Sequence, residues 1–218
     1  MSLPIDYGAR PNPDQRPVRE TVGPVFTTLI SDIRMQIKNG ILTPPNISTN
    51  AQVLNDLGLM ESMLNIAIQH PEELSPQWRD NNPPRRNLSD PDSSSPYRLS
   101  FYSKDRRYNL EIYIDRVGAL AIQFNYTERD PHSTKIIKKK PLVEIDIQTN
   151  NFESKVHVNM AVAPALKHGR DRNYQVQPMT YAAIGHGANY IATTVTAEKV
   201  KTATAAFRKF SEEQGPIA

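Results

Sequence analysis

Residues 97–126 read YRLSFYSKDRRYNLEIYIDRVGALAIQFNY, and this stretch decides the fold. Apolar and polar residues alternate in three runs, at 97–101, 110–114 and 120–126, with short turns between them. A period of two is typical of a strand that buries one face. Turns as short as these join antiparallel neighbours, so the stretch predicts an antiparallel meander of three strands.

A second hairpin follows the meander. Apolar residues alternate at 143–147 and again at 156–160, and Asn150-Asn151 marks the turn between them. Together with the meander, this hairpin gives a sheet of five antiparallel strands. The segment Thr180–Thr194 is ambiguous, because its alanines favour a helix whereas Gly185 and Gly187 interrupt one.

Three segments have the residue spacing of amphipathic helices. The first begins at Pro24, whose missing N–H is harmless in a first turn, and ends at Gly40, which tolerates the left-handed conformation. The second begins at a capping box that starts at Thr49 and ends before Pro71, and the last spans Ala197–Glu213. We therefore predict an α+β fold with an N-terminal helical hairpin, a five-stranded antiparallel sheet and a C-terminal helix packed on the sheet.

Proline content divides the chain. The 218 residues include eighteen prolines against nine glycines. Residues 1–20 hold four of the prolines, which lack an N–H donor and favour extended geometry, so we expect a proline-rich arm there. Residues 21–218 are expected to form a single α+β domain. Its long polar loop at 71–96 contains the lone Trp78, which is expected to anchor the loop to the protein's own core.

Several classes of protein are excluded by what the sequence lacks. Without cysteine, the chain has no disulfide, no thiolate zinc ligand and no thiol nucleophile. Its five histidines lack the spacing of metal ligands, and no phosphate-binding glycine loop or Gly-x-Ser-x-Gly elbow occurs. We therefore expect no cofactor and no metal. No apolar run approaches the roughly 18 residues of a membrane helix, and the first residues do not resemble a secretory signal, so we expect no membrane association and a location in the cytoplasm or a virion.

The net charge of +3 is unevenly distributed. Residues 79–172 carry +5, whereas residues 1–78 carry −3 and residues 173–218 carry +1. We expect RNA or another polyanion to bind this middle segment, although each basic cluster has a solvated turn as its alternative. The residues predicted to bind nucleic acid are Arg85, Arg86, Arg98, Tyr102, Lys104, Arg106, Arg107, Lys138, Lys139, Lys140, Lys167, Arg170 and Arg172.

Aromatic residues are interleaved with basic ones around the first hairpin, and exposed rings stack on unpaired bases. Strand alternation puts Tyr97 and Phe101 on the buried face, which leaves Tyr102, with Tyr108 or Tyr113, as the rings free to stack. So few rings indicate a phosphate-binding surface rather than a base-reading platform. No RNP motif or GXXG loop occurs, so sequence-specific RNA recognition is not indicated.

Two pairs of carboxylates lie on the strand face opposite the leucines and isoleucines. Glu111 is paired with Asp115, and Glu144 with Asp146. A glycosidase also needs two carboxyl groups in one cleft. Charge pairs that face solvent and are balanced by arginines are the simpler interpretation, and we expect these carboxylates to be solvated.

These observations favour a non-enzymatic, self-assembling structural or binding protein with a basic surface for nucleic acid, in a role like that of a viral coat protein or nucleoprotein. We expect a homo-oligomer that assembles through the proline-rich arm. Two alternatives stay open. One is a small enzyme that uses His186 and Tyr190 as acid and base together with a carboxylate. The other is an adaptor or effector that binds another protein through the arm.

Overall fold

The fold is known from a computed structural model, which describes residues 16–43, 50–70, 98–114, 118–129, 136–149, 154–162 and 188–213. The elements in chain order are α1 (Arg16–Lys38), α2 (Asn50–Gln69), β1 (Arg98–Tyr102), β2 (Tyr108–Ile114), β3 (Leu120–Arg129), β4 (Ile136–Thr149), β5 (Val156–Val162), β6 (Ala188–Ala192) and α3 (Ala197–Glu213). The predicted α+β class, the helical hairpin and the C-terminal helix are confirmed.

The sheet is an antiparallel meander in which each strand pairs with the strands before and after it in the chain. It has six strands, so the predicted count of five is wrong. The sixth strand is β6, within the segment whose composition was ambiguous, and it pairs with Val156–Met160 of β5. Its sequence, ANYIA, contains an aromatic and a β-branched residue, and both types pack well on a pleated surface.

Strand β4 is nearly three times as long as the alternating run at 143–147 that predicts it, because it begins at Ile136 and includes Lys138–Lys140. A bulge explains how Pro141 fits inside it. Phe124 pairs with Val143 while Asn125 pairs with Pro141, so Leu142 is the extra residue on β4. A bulge is one of the few places where a strand tolerates proline, since the ladder of hydrogen bonds is already interrupted there.

The core lies between the helices and one face of the sheet. Alternate strand residues such as Leu110, Ile122 and Ile145 point to the helices and are at most 3 % exposed. Helix α1 contacts both α2 and α3, and it contributes Phe26 to the core, where α3 contributes Phe207. Burial of these large side chains is the main source of stability, at about 1.5–3 kcal/mol for each one.

Helix α1 begins earlier than the sequence predicts. Its first turn contains Pro17, which is tolerated there, whereas Pro24 lies inside the helix and removes one hydrogen bond. Residues 16–20 of the predicted arm therefore belong to α1, and residues 1–15 lie outside the described residues, as does the loop at 71–96 with Trp78. At Gly23, a Cβ atom would lie 2.4 Å from Cδ1 of Ile68, so glycine allows α1 and α2 to pack closely. The predicted left-handed residue after α1 is confirmed, with φ of 71° at Gly40.

Candidate functional site

The turn between β1 and β2 carries three basic residues and is held by side-chain hydrogen bonds. Ser103 Oγ donates to Asp105 Oδ1 at 2.7 Å, and the same oxygen atom of Asp105 accepts the backbone N–H of Arg107 at 3.0 Å. Between them, Arg106 adopts a positive φ of 57°, which is unfavourable for a residue with a side chain. The turn is therefore ordered and stores backbone strain at a basic residue.

A second set of hydrogen bonds fixes this turn against strand β3. The buried Thr127 donates its hydroxyl to the carbonyl oxygen of Arg106, and its backbone N–H donates to the carbonyl of Arg107 at 2.8 Å. In the register of β3 and β4, Thr127 pairs with Lys139, and the neighbouring Glu128 pairs with Lys138. The turn and the lysine run of β4 are therefore neighbours, although more than thirty residues separate them in sequence.

We call this part of the molecule the basic end; it comprises residues 104–107, 128–129 and 138–140. These three segments hold seven basic residues and two acidic ones. Lys104 and Arg107 are exposed, and the ion pair of Arg107 with Asp105 is long, at 3.6 Å, between two exposed groups. Such a pair contributes little and leaves the cation accessible. Lys140 differs, because its ammonium lies 2.9 Å from Glu128 and its side chain is only 14 % exposed.

The other predicted nucleic-acid-binding residues are not brought to the basic end by any described contact. Arg85, Arg86, Lys167, Arg170 and Arg172 lie outside the described residues. Arg98 begins β1 and pairs with Tyr113, at the opposite end of β1 from the turn. The structure therefore joins two of the predicted clusters, those of Lys104–Arg107 and Lys138–Lys140.

The rings expected to stack on bases are mostly committed to the protein itself. Tyr108 stacks on Phe124 with ring centroids 5.3 Å apart, and burial, with a smaller effect of the Asp56 carboxylate, raises its pKa. Tyr113 is buried, and its hydroxyl donates to Glu144. Tyr102, at the end of β1, is half-buried. The expectation that Tyr108 or Tyr113 is free to stack is therefore wrong, and Tyr102 is the remaining candidate.

The face of the sheet opposite the helices is polar yet buried at its centre. Glu111 is only 1 % exposed and accepts a hydrogen bond from Ser100 Oγ at 2.9 Å. Glu144 accepts hydrogen bonds from Tyr113 and from Gln123 Nε2, the latter at 3.1 Å. The prediction of solvated carboxylates is therefore wrong for Glu111. Strand alternation identifies the face on which a carboxylate lies, but it does not reveal whether that face is covered.

Two asparagines on the same face also have hydrogen-bond partners within the protein. Asn125 Nδ2 donates to Asn109 Oδ1 at 3.1 Å, and Asn109 Nδ2 donates to the carbonyl of Phe101 at 3.1 Å. Both asparagines are at most 1 % exposed. Buried polar groups need such partners, because an unsatisfied one costs about 1–3 kcal/mol. The two asparagines fix the register of β1, β2 and β3 near the basic end.

The residues of the enzyme alternative are only partly described. Tyr190 lies on β6 beside the buried Asp32 of α1, and His186 lies outside the described residues. Asp32 accepts a hydrogen bond from Gln36 Nε2 at 2.9 Å and a longer one from Thr194 Oγ1 at 3.4 Å. Burial, and next the Asp32 carboxylate, raise the pKa of Tyr190 well above its usual value. A tyrosine in this environment stays protonated at neutral pH and is unsuited to act as a base.

Among the described residues, no group of three or more His, Asp or Glu side chains is arranged to hold a metal ion. Within the same residues, no helix is long and apolar enough to span a membrane. No protein-family model, no curated protein and no solved structure matches this chain.

Proposed function

We propose that this protein is a non-enzymatic nucleic-acid-binding protein that self-assembles, in a role like that of a viral coat protein or nucleoprotein. The observation that supports it most is the strand pairing of Lys138 with Glu128 and of Lys139 with Thr127. Thr127 also bonds to the carbonyl groups of Arg106 and Arg107, so it joins the lysine run to the turn. Clusters distant in sequence form one basic end. Neighbouring segments with an excess of five positive charges attract a polyanion more than scattered solvated turns do.

The basic end is suited to contact phosphates rather than to read bases. Three of its cations, Lys104, Arg106 and Arg107, are on an ordered turn, so little loop entropy is lost when a phosphate binds there. Tyr108 stacks on Phe124 and Tyr113 bonds to Glu144, so at most the half-buried Tyr102 is offered for stacking on a base. We therefore expect binding to single-stranded RNA or DNA with little dependence on base sequence and a strong dependence on salt.

Self-assembly is the part of the proposal that the proline-rich residues support. Residues 1–15 contain three prolines and no predicted helix or strand, which suits an arm that extends onto a neighbouring subunit. An assembling subunit with a basic surface would coat a nucleic acid without any catalytic group. Molar mass in the presence and absence of nucleic acid tests this part separately from binding.

The binding experiment is a fluorescence anisotropy titration of a labelled single-stranded oligonucleotide at several salt concentrations. The variant Lys104→Gln/Arg106→Gln/Arg107→Gln removes three cations of the basic end. Each phosphate contact on a single strand contributes about 0.7 to the slope of log K against log salt. The variant is therefore expected to lower that slope by about 2 and to weaken binding about 100-fold at about 0.1 M salt.

The matched control is Lys155→Gln/Lys199→Gln/Lys209→Gln, which removes the same charge from exposed positions before β5 and on helix α3. It is expected to retain most of the affinity, because these positions lie away from the basic end. Equal losses in the two triple variants would show that net charge alone drives binding, and no binding by the wild-type protein would refute the proposal.

A further inference from the structure

A cavity of about 500 Å³ opens between helix α3 and the ends of two strands. It lies where β3 begins and β4 ends, so it is separated from the basic end by the length of β3, about 30 Å for ten residues. We call it the α3 cleft. Its lining includes Gly118, Ile147, Val200, Lys201, Ala205 and Arg208.

Both charged residues of the lining are cations on one face of α3. Lys201 and Arg208 are seven residues apart, which puts them on the same side of the helix at about 10.5 Å along its axis. Among the described residues, no carboxylate forms an ion pair with either of them. The cleft therefore has a positive potential that no described partner neutralises.

The wall of the cleft includes apolar side chains. Ile147, Val200 and Ala119 are each at most 4 % exposed and belong to the interior of the protein. Ala205 and Gly118 are small and leave the space between the cations empty of side chains. A concavity of this volume is within the size range of small-molecule sites, which combine apolar side chains with a few polar groups.

The geometry around Arg208 depends on a glycine. Gly118 has φ of 85°, and a Cβ atom at this position would lie 3.1 Å from Nη2 of Arg208. The guanidinium therefore lies beside the turn that precedes β3, and Arg208 is also exposed to solvent. Arginine presents a planar set of donors that matches the oxygens of a phosphate.

We propose that the α3 cleft binds a small phosphate monoester, with its phosphate held by Arg208 and Lys201 and its apolar part against the exposed Ala205 and the small accessible edges of Ile147 and Val200. A phosphate monoester carries nearly two negative charges at neutral pH, which suits two cations better than a carboxylate does. Gln148 and Thr149 supply neutral donors at the rim, whereas the Thr204 hydroxyl is occupied by the carbonyl of Val200 at 2.8 Å. This site is independent of nucleic-acid binding at the basic end.

Isothermal titration calorimetry with phenyl phosphate and with inorganic phosphate tests the proposal on the full chain. Phenyl phosphate is expected to bind at least about fivefold more tightly, because only the ester has a group that covers the apolar wall. Lys201→Gln/Arg208→Gln is expected to weaken phenyl phosphate binding at least about tenfold. The control Lys199→Gln, on the same helix but outside the lining, is expected to bind like the wild-type protein.

A second variant tests the apolar wall without touching the cations. Ala205→Leu places a larger side chain at an exposed helical position of the lining, which the helix tolerates. It is expected to remove the preference for phenyl phosphate while inorganic phosphate still binds. A circular dichroism melting curve of each variant establishes that it is folded.

Three results would overturn the proposal: no binding of phenyl phosphate to the wild-type protein, equal binding by the folded Lys201→Gln/Arg208→Gln variant, or equal affinity for inorganic phosphate and the ester. A competition arm separates this site from the basic end. An oligonucleotide without a terminal phosphate is expected not to displace phenyl phosphate. Displacement would assign the cleft to the polyanion surface and contradict a separate small-molecule site.

Discussion

The β3–β4 pair has cations at both of its ends, but the two ends differ in shape: one is a tight turn and the other is a cleft. At the basic end, exposed cations such as Lys104 and Arg107 lie on a tight turn. In the α3 cleft, Lys201 and Arg208 flank a cavity with an apolar wall. Shape, rather than charge, therefore determines which class of anion each end suits. An ordered convex turn suits a polymer of phosphates, whereas a concave site suits one small molecule.

The largest effect in this comparison is expected from loosening the basic end without changing its charge. Thr127→Val removes the hydroxyl that donates to the carbonyl of Arg106 and keeps the shape of the side chain. We expect a loss of about 1–2 kcal/mol in the free energy of unfolding, measured with urea, and weaker oligonucleotide binding. Thr149→Val in the α3 cleft is the matched control and is expected to change stability by less than about 0.5 kcal/mol. Equal losses would show that the hydroxyl does not clamp the turn.

A smaller and opposite effect is expected at the strained residue of the turn. Arg106→Asn places a residue that tolerates positive φ where the backbone requires one, so unfolding should cost roughly 0.5–1 kcal/mol more than in the wild-type protein. The same variant loses one phosphate contact and is expected to bind an oligonucleotide about fivefold less tightly at about 0.1 M salt. A variant that is more stable and binds as well as the wild type would show that the strain at Arg106 has no binding role.

The smallest effect is expected at Tyr190, which belongs to neither end. Its hydroxyl is buried without a hydrogen-bond partner of normal geometry, so Tyr190→Phe should change stability at neutral pH by less than about 1 kcal/mol, in the stabilising direction. Both binding activities should be unchanged.

The pH dependence at this residue has a definite sign. Its raised pKa means that the folded protein holds the phenolic proton more tightly than the unfolded chain does, whose tyrosines ionise near pH 10. Wild-type stability should therefore fall as the pH rises above about 10, and the fall should be smaller in Tyr190→Phe. The remaining dependence includes Tyr108, whose pKa is raised as well. A fall as steep in the variant as in the wild type would contradict the raised pKa.

Residues with local signals were predicted well from the sequence. The bounds of α3 were predicted as observed, because Ala197 and Glu213 limit a periodic segment that Gly215-Pro216 terminates. The alternation in β2 identified Leu110 and Ile112 as core residues. Strand β6 was not predicted, because its five residues lie between a glycine-rich segment and a turn and are too few to show a period of two. Their conformation depends on pairing with β5.

The candidate sites were harder to predict because they depend on long-range contacts. The sequence composition identifies the basic clusters. That the clusters at 104–107 and 138–140 are neighbours follows only from the register of β3 and β4, in which Thr127 contacts both. The burial of Glu111 depends on its neighbours on adjacent strands, such as the hydrogen-bonded Ser100, which no period reveals. Lys201 and Arg208 appear in sequence as ordinary cations of a surface helix, and only the position of Gly118 reveals the cleft between them.

The most direct test of nucleic-acid binding is light scattering on size exclusion, with absorbance read at 260 and 280 nm, on protein purified without nuclease. We expect a particle larger than the 24.6 kDa chain with a raised ratio of absorbance at 260 to 280 nm, and a fall of both in high salt. A monomer of the mass of one chain, with the absorbance ratio of protein alone at low salt, would contradict it.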